Sequence, residues 1–155
     1  SGTIHGIGKG ALIAEIQENS NLTYRLYDYD RVDKHGNKRE LHIDKALEVA
    51  NLNSSTEPRQ PLRVLNYRQG VASELLSRCK YFEVYRMIIN TERRQVVKYF
   101  ADYMAFHVLL CTSGCGTVNY SEGSFPFYKG DCIFVPADSE EFGIHGQAQF
   151  LEVRG

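Results

Sequence analysis

Apolar and polar residues alternate with three different rhythms along this chain. From Tyr81 onward, short apolar stretches with a period of two predict strands over 82–89, 95–100, 105–112, 116–120, 124–127, 132–135 and 149–153. Turn residues separate them at Asn90-Thr91, Ser113-Gly114, Glu122-Gly123, Lys129-Gly130-Asp131 and Pro136-Ala137-Asp138. So many closely spaced strands predict a sandwich or small barrel. Over 41–51 the rhythm changes: Ile43, Ala46, Leu47 and Ala50 recur at helical spacing, which predicts one amphipathic helix. A polar stretch with Pro58 and Pro61 follows, the composition of a linker, and a domain boundary is expected there, between 1–57 and 58–155.

The first thirty residues carry the third rhythm. Apolar runs at 4–7 and 11–16 flank Gly8-Lys9-Gly10, a spacing that predicts a hairpin turning at Lys9. Pairing about Lys9 would set His5 opposite Ile13 and place Glu15 on the same face. Over 22–29, Leu22, Tyr24 and Leu26 alternate with Thr23, Arg25 and Tyr27, again a strand pattern.

Composition supports a mostly β protein, because ten tyrosines and eight phenylalanines favour strands. Hydrophobic residues at 43% and charged residues at 24% fit a water-soluble fold. A net charge of −1 offers no general attraction to nucleic acid or an anionic membrane. No apolar run reaches the roughly 20 residues of a membrane span, and no secretory leader is visible, so a cytoplasmic location is expected. Cys79, Cys111, Cys115 and Cys132 lie in apolar, strand-like surroundings and are expected to be reduced and buried.

The candidate chemistry lies early in the chain. Glu15 interrupts an apolar strand pattern, where burial would demand a cation, a metal or water beside it; exposure on a one-sided sheet is the plain alternative. Arg25 is either a snorkelling surface residue or a permanent cation aimed at an anionic oxygen. His107, Cys111 and Cys115 are each four residues apart, but glycines interrupt the path and no fourth ligand follows, so core thiols are the better reading than zinc. The Gly6-Ile7-Gly8-Lys9-Gly10 stretch lacks the Lys-Ser/Thr ending of a phosphate loop and reads as a turn.

Taken together, residues 2–10, Ala14-Glu15-Ile16-Gln17, 23–29 and 39–47 resemble the latter half of a type I mannose-6-phosphate isomerase of the short bacterial form. Phe106-His107-Val108-Leu109-Leu110, Gly114-Cys115-Gly116-Thr117 and the stretch from Lys129 to Ala137 are similar to that family's second cupin domain. The resemblance implies a mainly β cupin (jelly-roll) fold with one connecting helix, the N-terminal strands belonging to a truncated first cupin. It also implies an aldose-ketose isomerase acting on a sugar phosphate, mannose 6-phosphate and fructose 6-phosphate, with a zinc ion.

Under that resemblance His5 is a zinc ligand, the other ligands lying upstream of residue 1. Arg25 matches the family's active-site arginine, and Glu15 lines the same pocket with Asn21, which stands where many relatives carry an aspartate. A chain contributing one zinc ligand is expected to have little activity alone, and its second cupin is expected to be structural. Two further readings stand beside the enzyme: a metal-free cupin module binding a sugar or sugar phosphate, and a structural domain that self-associates through the truncated first-cupin surface.

Overall fold

The structure, a computed structural model, describes residues 2–53, 64–91 and 95–155. The chain divides into two compact units, Ser1–Pro58 and Arg59–Gly155.

In the first unit the described residues form one helix, α1 (Ile43–Val49), and one isolated bridge, Val32 to Lys38. The helix is shorter than the 41–51 pattern suggests because His42 gives it no side-chain cap and Ala50 is already extended. A turn does form at Lys9-Gly10, closed by Ala11 N donating to Gly8 O at 3.4 Å. The strands expected over 4–7, 11–16 and 22–29 are not formed, so the predicted pairing of His5 with Ile13 does not occur. Two short strands cannot hold together without a third or a packed face. Leu12 is 91% exposed and Leu22 77%, so no such face supports them.

What orders this unit is polar. Asp28 is buried, and its carboxylate accepts from Arg31 Nη2 at 2.6 Å and from Arg39 Nε at 2.7 Å. Asp33 closes the next turn by accepting from the backbone N–H groups of His35 and Asn37, and Lys38 pairs with Asp30.

Among the described residues the second unit is an eight-stranded antiparallel sheet folded over an apolar core. Its strands are β1 (Leu65–Arg68), β2 (Val71–Arg78), β3 (Glu83–Asn90), β4 (Val97–Tyr99), β5 (His107–Tyr120), β6 (Gly123–Tyr128), β7 (Cys132–Val135) and β8 (Phe142–Arg154). The order is β1-β2-β3-β8-β5-β6, with β4 added to β8 and β7 to β5. The two long strands make this possible. β8 pairs along one edge with β3 and β4 and along the other with β5, which in turn carries β7 near its start and β6 near its end.

A bulge in β5 governs the packing. Cys111 pairs with Phe150 and Ser113 with Gln149, so Thr112 is one residue extra, and the inward set changes from His107, Leu109 and Cys111 to Gly114, Gly116 and Val118. Gly114 sits at φ +83, and a Cβ there would strike the backbone at Gln147 and Ala148; a Cβ on Gly116 would strike His145 O and the Phe127 ring. The space left by Gly116 admits Phe127, which packs 5.1 Å from Phe150, ring centre to ring centre. Fully burying Phe127, Phe150, Met87, Ile89, Leu109 and Ile144 contributes roughly 1.5–3 kcal/mol per side chain before entropy is counted.

The bulge also corrects the expectation of four buried thiols. All four cysteines are free, but only Cys111 is buried. Cys115 follows the bulge on the outward phase, Cys132 pairs with outward Leu110, and Cys79 lies beyond the end of β2.

Candidate functional site

Strand register builds a polar cluster at one end of the second unit. Directly opposed residues in an antiparallel sheet share a face. Across β3, β8, β5 and β7 the inward rows therefore read Met87-Phe150-Cys111, then Tyr85-Glu152-Leu109-Ile133, then Glu83-Arg154-His107-Val135. The core is apolar in the first row and ionised in the last two. These rows open into a cleft of about 540 Å³, whose lining includes Arg68, Lys80, Tyr81, Phe100, His107 and Glu152.

Each charge on the floor has a defined partner. Tyr99, brought in by the β4–β8 pairing, donates its hydroxyl to Glu152 Oε1 at 2.7 Å and stands 2.8 Å from His107 Nδ1. With the hydroxyl proton committed to Glu152, the oxygen accepts from His107 Nδ1–H, so the free lone pair of the imidazole is on Nε2. Arg154 Nε donates to the same Glu152 oxygen at 2.8 Å, and its guanidinium stacks 4.3 Å from the centre of the Tyr85 ring. Tyr85 donates to Glu83 Oε2 at 2.7 Å, and Glu83 Oε1 pairs with Arg78 at 2.5 Å.

The electrostatic consequences follow from burial and pairing. Burial pushes the His107 pKa below its ordinary value, against the pull of Glu152, so the ring is held neutral. Burial and the adjacent Glu152 carboxylate raise Tyr99 far above the usual phenol range, so it stays protonated. Glu83 is lowered, chiefly by the hydrogen bond from Tyr85. For Arg154 desolvation opposes the charge, but the bond to Glu152 and its field outweigh it and the pKa rises.

The residues singled out from sequence lie in the first unit. His5 is exposed, with Nδ1 3.2 Å from Thr3 O. Glu15 and Asn21 are exposed. Arg25 is half-buried: its Nη1 donates to Glu40 O at 3.0 Å, its backbone N–H to His42 Nδ1 at 3.1 Å, and its carbonyl accepts from His42 N at 2.7 Å. No hydrogen bond or ion pair joins any two of these four residues among the described residues. Nor do the described residues contain a group of three His, Cys, Asp or Glu able to hold a metal.

Sequence reasoning missed Tyr99, Glu152 and Arg154. A signal existed for two of them: Glu152 and Arg154 fall in phase with the apolar Ala148 and Phe150, on the inward face of a strand. Tyr99 reaches the cluster only through the pairing of β4 with β8.

Comparison with known proteins places this architecture. The family model for the mannose-6-phosphate isomerase cupin domain matches residues 72–154. The chain belongs to this family. YvyI of Bacillus subtilis is 37% identical over 97% of this chain and 46% of its own length. Mannose-6-phosphate isomerase ManA of Bacillus subtilis is 36% identical over the same shares. A crystal structure of the mannose 6-phosphate isomerase from Bacillus subtilis superposes with a TM-score of 0.73 at 30% identity, covering 87% of this chain and 41% of that one. The chain thus spans about half the length of the curated relatives it matches. The cupin expected from the resemblance is the sandwich of the second unit, and no helix among the described residues is long and apolar enough to cross a membrane.

Proposed function

We propose that this chain is the C-terminal portion of a zinc-dependent aldose-ketose isomerase interconverting mannose 6-phosphate and fructose 6-phosphate, in a cytoplasmic setting. Residues 1–57 would end a first, catalytic cupin and 58–155 form the second. The observation that carries the reading is the match to relatives bearing that name over 97% of this chain but 46% of their length.

The donor set of this chain does not by itself fit zinc. A catalytic zinc takes about three protein ligands, and the described residues offer no such group. The proposal therefore treats His5 as one donor of a set completed outside this chain, and no step is routed through the metal. Moving a proton between C1 and C2 of an open-chain sugar passes through an enediol whose oxygen gathers negative charge. Arg25 suits that charge: its backbone is pinned by His42, Nη1 is engaged by the Glu40 carbonyl, and Nε and Nη2 carry no hydrogen bond among the described residues. Glu15 and Asn21 would line the same pocket as acceptor and amide.

Zinc content and turnover in a coupled sugar-phosphate assay, measured for this chain and for one extended upstream, test the reading. The extended protein should gain bound zinc and turnover, and lose turnover with His5→Ala or Arg25→Ala. If extension changes neither, or if this chain alone turns over substantially, the reading fails. The exposed Leu12, Leu22 and Leu52 further support self-association of the isolated chain, which light scattering would register as a dimer.

A further inference from the structure

We propose that β1 is a dimerisation edge: it pairs antiparallel with β1 of a second copy of this chain, about a two-fold axis at Asn66, and joins the two sheets into one. The inference is independent of the isomerase reading, whose residues lie in the first unit.

The open edge follows from strand phase. The two-residue turn Gln69-Gly70 makes Arg68 and Val71 the hydrogen-bonded pair that closes the β1–β2 hairpin. Such pairs alternate along an antiparallel ladder, so Asn66 bonds to Ser73, while the N–H and C=O groups of Leu65 and Tyr67 point away from β2. Among the described residues no strand lies on that side. All four residues of β1 are exposed, as is Val64 before them, so neither face of the strand is covered. Unmade backbone bonds along such an edge are a template for another strand.

The opposite edge of the sheet is closed. Tyr120 and Gly123 flank a two-residue turn, so the same alternation aims the backbone nitrogen of Pro126, in β6, away from β5. Proline has no N–H to offer there. β1 carries no proline and no bulge, and Arg68 is its single charge.

The sequence of the β1 edge fits itself. With the axis at Asn66, Leu65 of each copy faces Tyr67 of the other, and these are the residues whose backbone groups are open, so both pairs close with main-chain hydrogen bonds. Directly opposed residues share a face, which puts an aliphatic–aromatic contact twice on the outward side. Asn66 meets Asn66 on the inward side, where one amide donates to the oxygen of the other. Arg68 faces Val64 of the second copy, so no like charges oppose one another. An axis at Tyr67 would instead enlist Gln69, a turn residue. A second copy matches this phase by symmetry, the self-complementary contact of a two-fold dimer.

The test is sedimentation equilibrium of the full chain from micromolar to millimolar concentration, with Leu12→Ser, Leu22→Ser and Leu52→Ser removing the exposed leucines of the first unit. A reversible dimer should form, and Tyr67→Pro, which deletes an edge-directed N–H and none bonded to β2, should weaken it at least about tenfold. A second measurement stands apart from the folding of that variant. With the exposed Cys79, Cys115 and Cys132 changed to serine, Asn66→Cys should form an intermolecular disulfide under mild oxidation, because the residues at the axis are a close, non-hydrogen-bonded pair. Arg68→Cys, whose own copy lies far along the partner strand, should cross-link at least about tenfold more slowly. The proposal is overturned if the chain stays monomeric throughout that range, if folded Tyr67→Pro dimerises as tightly as its parent, or if Arg68→Cys cross-links as fast as Asn66→Cys.

Discussion

Tyr99 and Glu152, fifty-three residues apart, share a hydrogen bond of 2.7 Å inside the sandwich, and the same phenol oxygen meets His107 at 2.8 Å. One hydroxyl thus satisfies a buried carboxylate and fixes which nitrogen of a buried imidazole holds the proton. The polar rows at the mouth of the sandwich tolerate burial because each ionised group in them faces an opposite charge and each carboxylate also accepts from a tyrosine hydroxyl.

Replacing Tyr99 by Phe removes that hydroxyl while keeping the ring. Glu152 loses a donor and His107 Nδ1–H an acceptor. The second unit should lose about 1–3 kcal/mol of stability, read from the midpoint of a urea titration with unchanged slope. A midpoint equal to the parent's would show that the hydroxyl does not hold the cluster together.

The depressed pKa of His107 makes a signed prediction. Burial lowers it below the 6.5 of a free imidazole, so between the folded and free values the unfolded chain binds more protons than the folded one. This contribution to stability is complete above about pH 6.5 and is lost as pH falls from there toward the folded pKa. Ring-nitrogen NMR across the acidic range should show His107 with its proton on Nδ1 and a titration midpoint below the 6.5 of a free imidazole. A midpoint at or above that value would contradict the burial argument.

How much of this was readable in the sequence depends on how sharply burial alternates. β3, β6 and β7 lie close to their predicted spans because apolar residues dominate them, and the turns flanking β6 and β7 carry glycine or proline. β1 was not visible because all four of its residues are exposed, and β2 because the extra Leu76 between Leu75 and Ser77 breaks its period. Ser113-Gly114, expected to be a turn, is instead absorbed as a bulge, so the predicted strands 105–112 and 116–120 fuse into β5. In the first unit the period-two rhythm is present, yet the described residues include no partner strand to pair with it. The polar cluster was half legible: charge in phase with a buried face marks Glu152 and Arg154, whereas Tyr99 needs the tertiary pairing.

Glycine substitutions separate backbone strain from collision. Gly114→Ala places a side chain at φ +83 and against Gln147 and Ala148 backbone atoms, so the bulge must open and the inward phase of β5 with it. Expected destabilisation is about 2–5 kcal/mol, the sum of strain and overpacking. Gly130→Ala has a comparable φ of +99 but meets nothing within 4 Å, so it should cost about 1 kcal/mol. Denaturant titrations of both variants, compared with the parent, check the ordering. Equal losses would mean that the close approach at Gly114 is not what requires glycine.

Asp28 tests the polar organisation of the first unit. Its hydrogen bonds from Arg39 and then Arg31, with their charges, outweigh burial and hold the carboxyl at about 2, against 3.8 when free. A depressed carboxylate stabilises the fold above its free pKa, and the contribution disappears as pH falls through the folded one. NMR signals from residues 28–39 should therefore keep their native positions down to about pH 4 and collapse toward random-coil values by about pH 2. Asp28→Asn cannot carry the charge that gathers both guanidiniums, so its 28–39 signals should already be collapsed at neutral pH and show no transition in that window. Native positions retained by the asparagine variant would show that the two arginines are held by something other than this carboxylate.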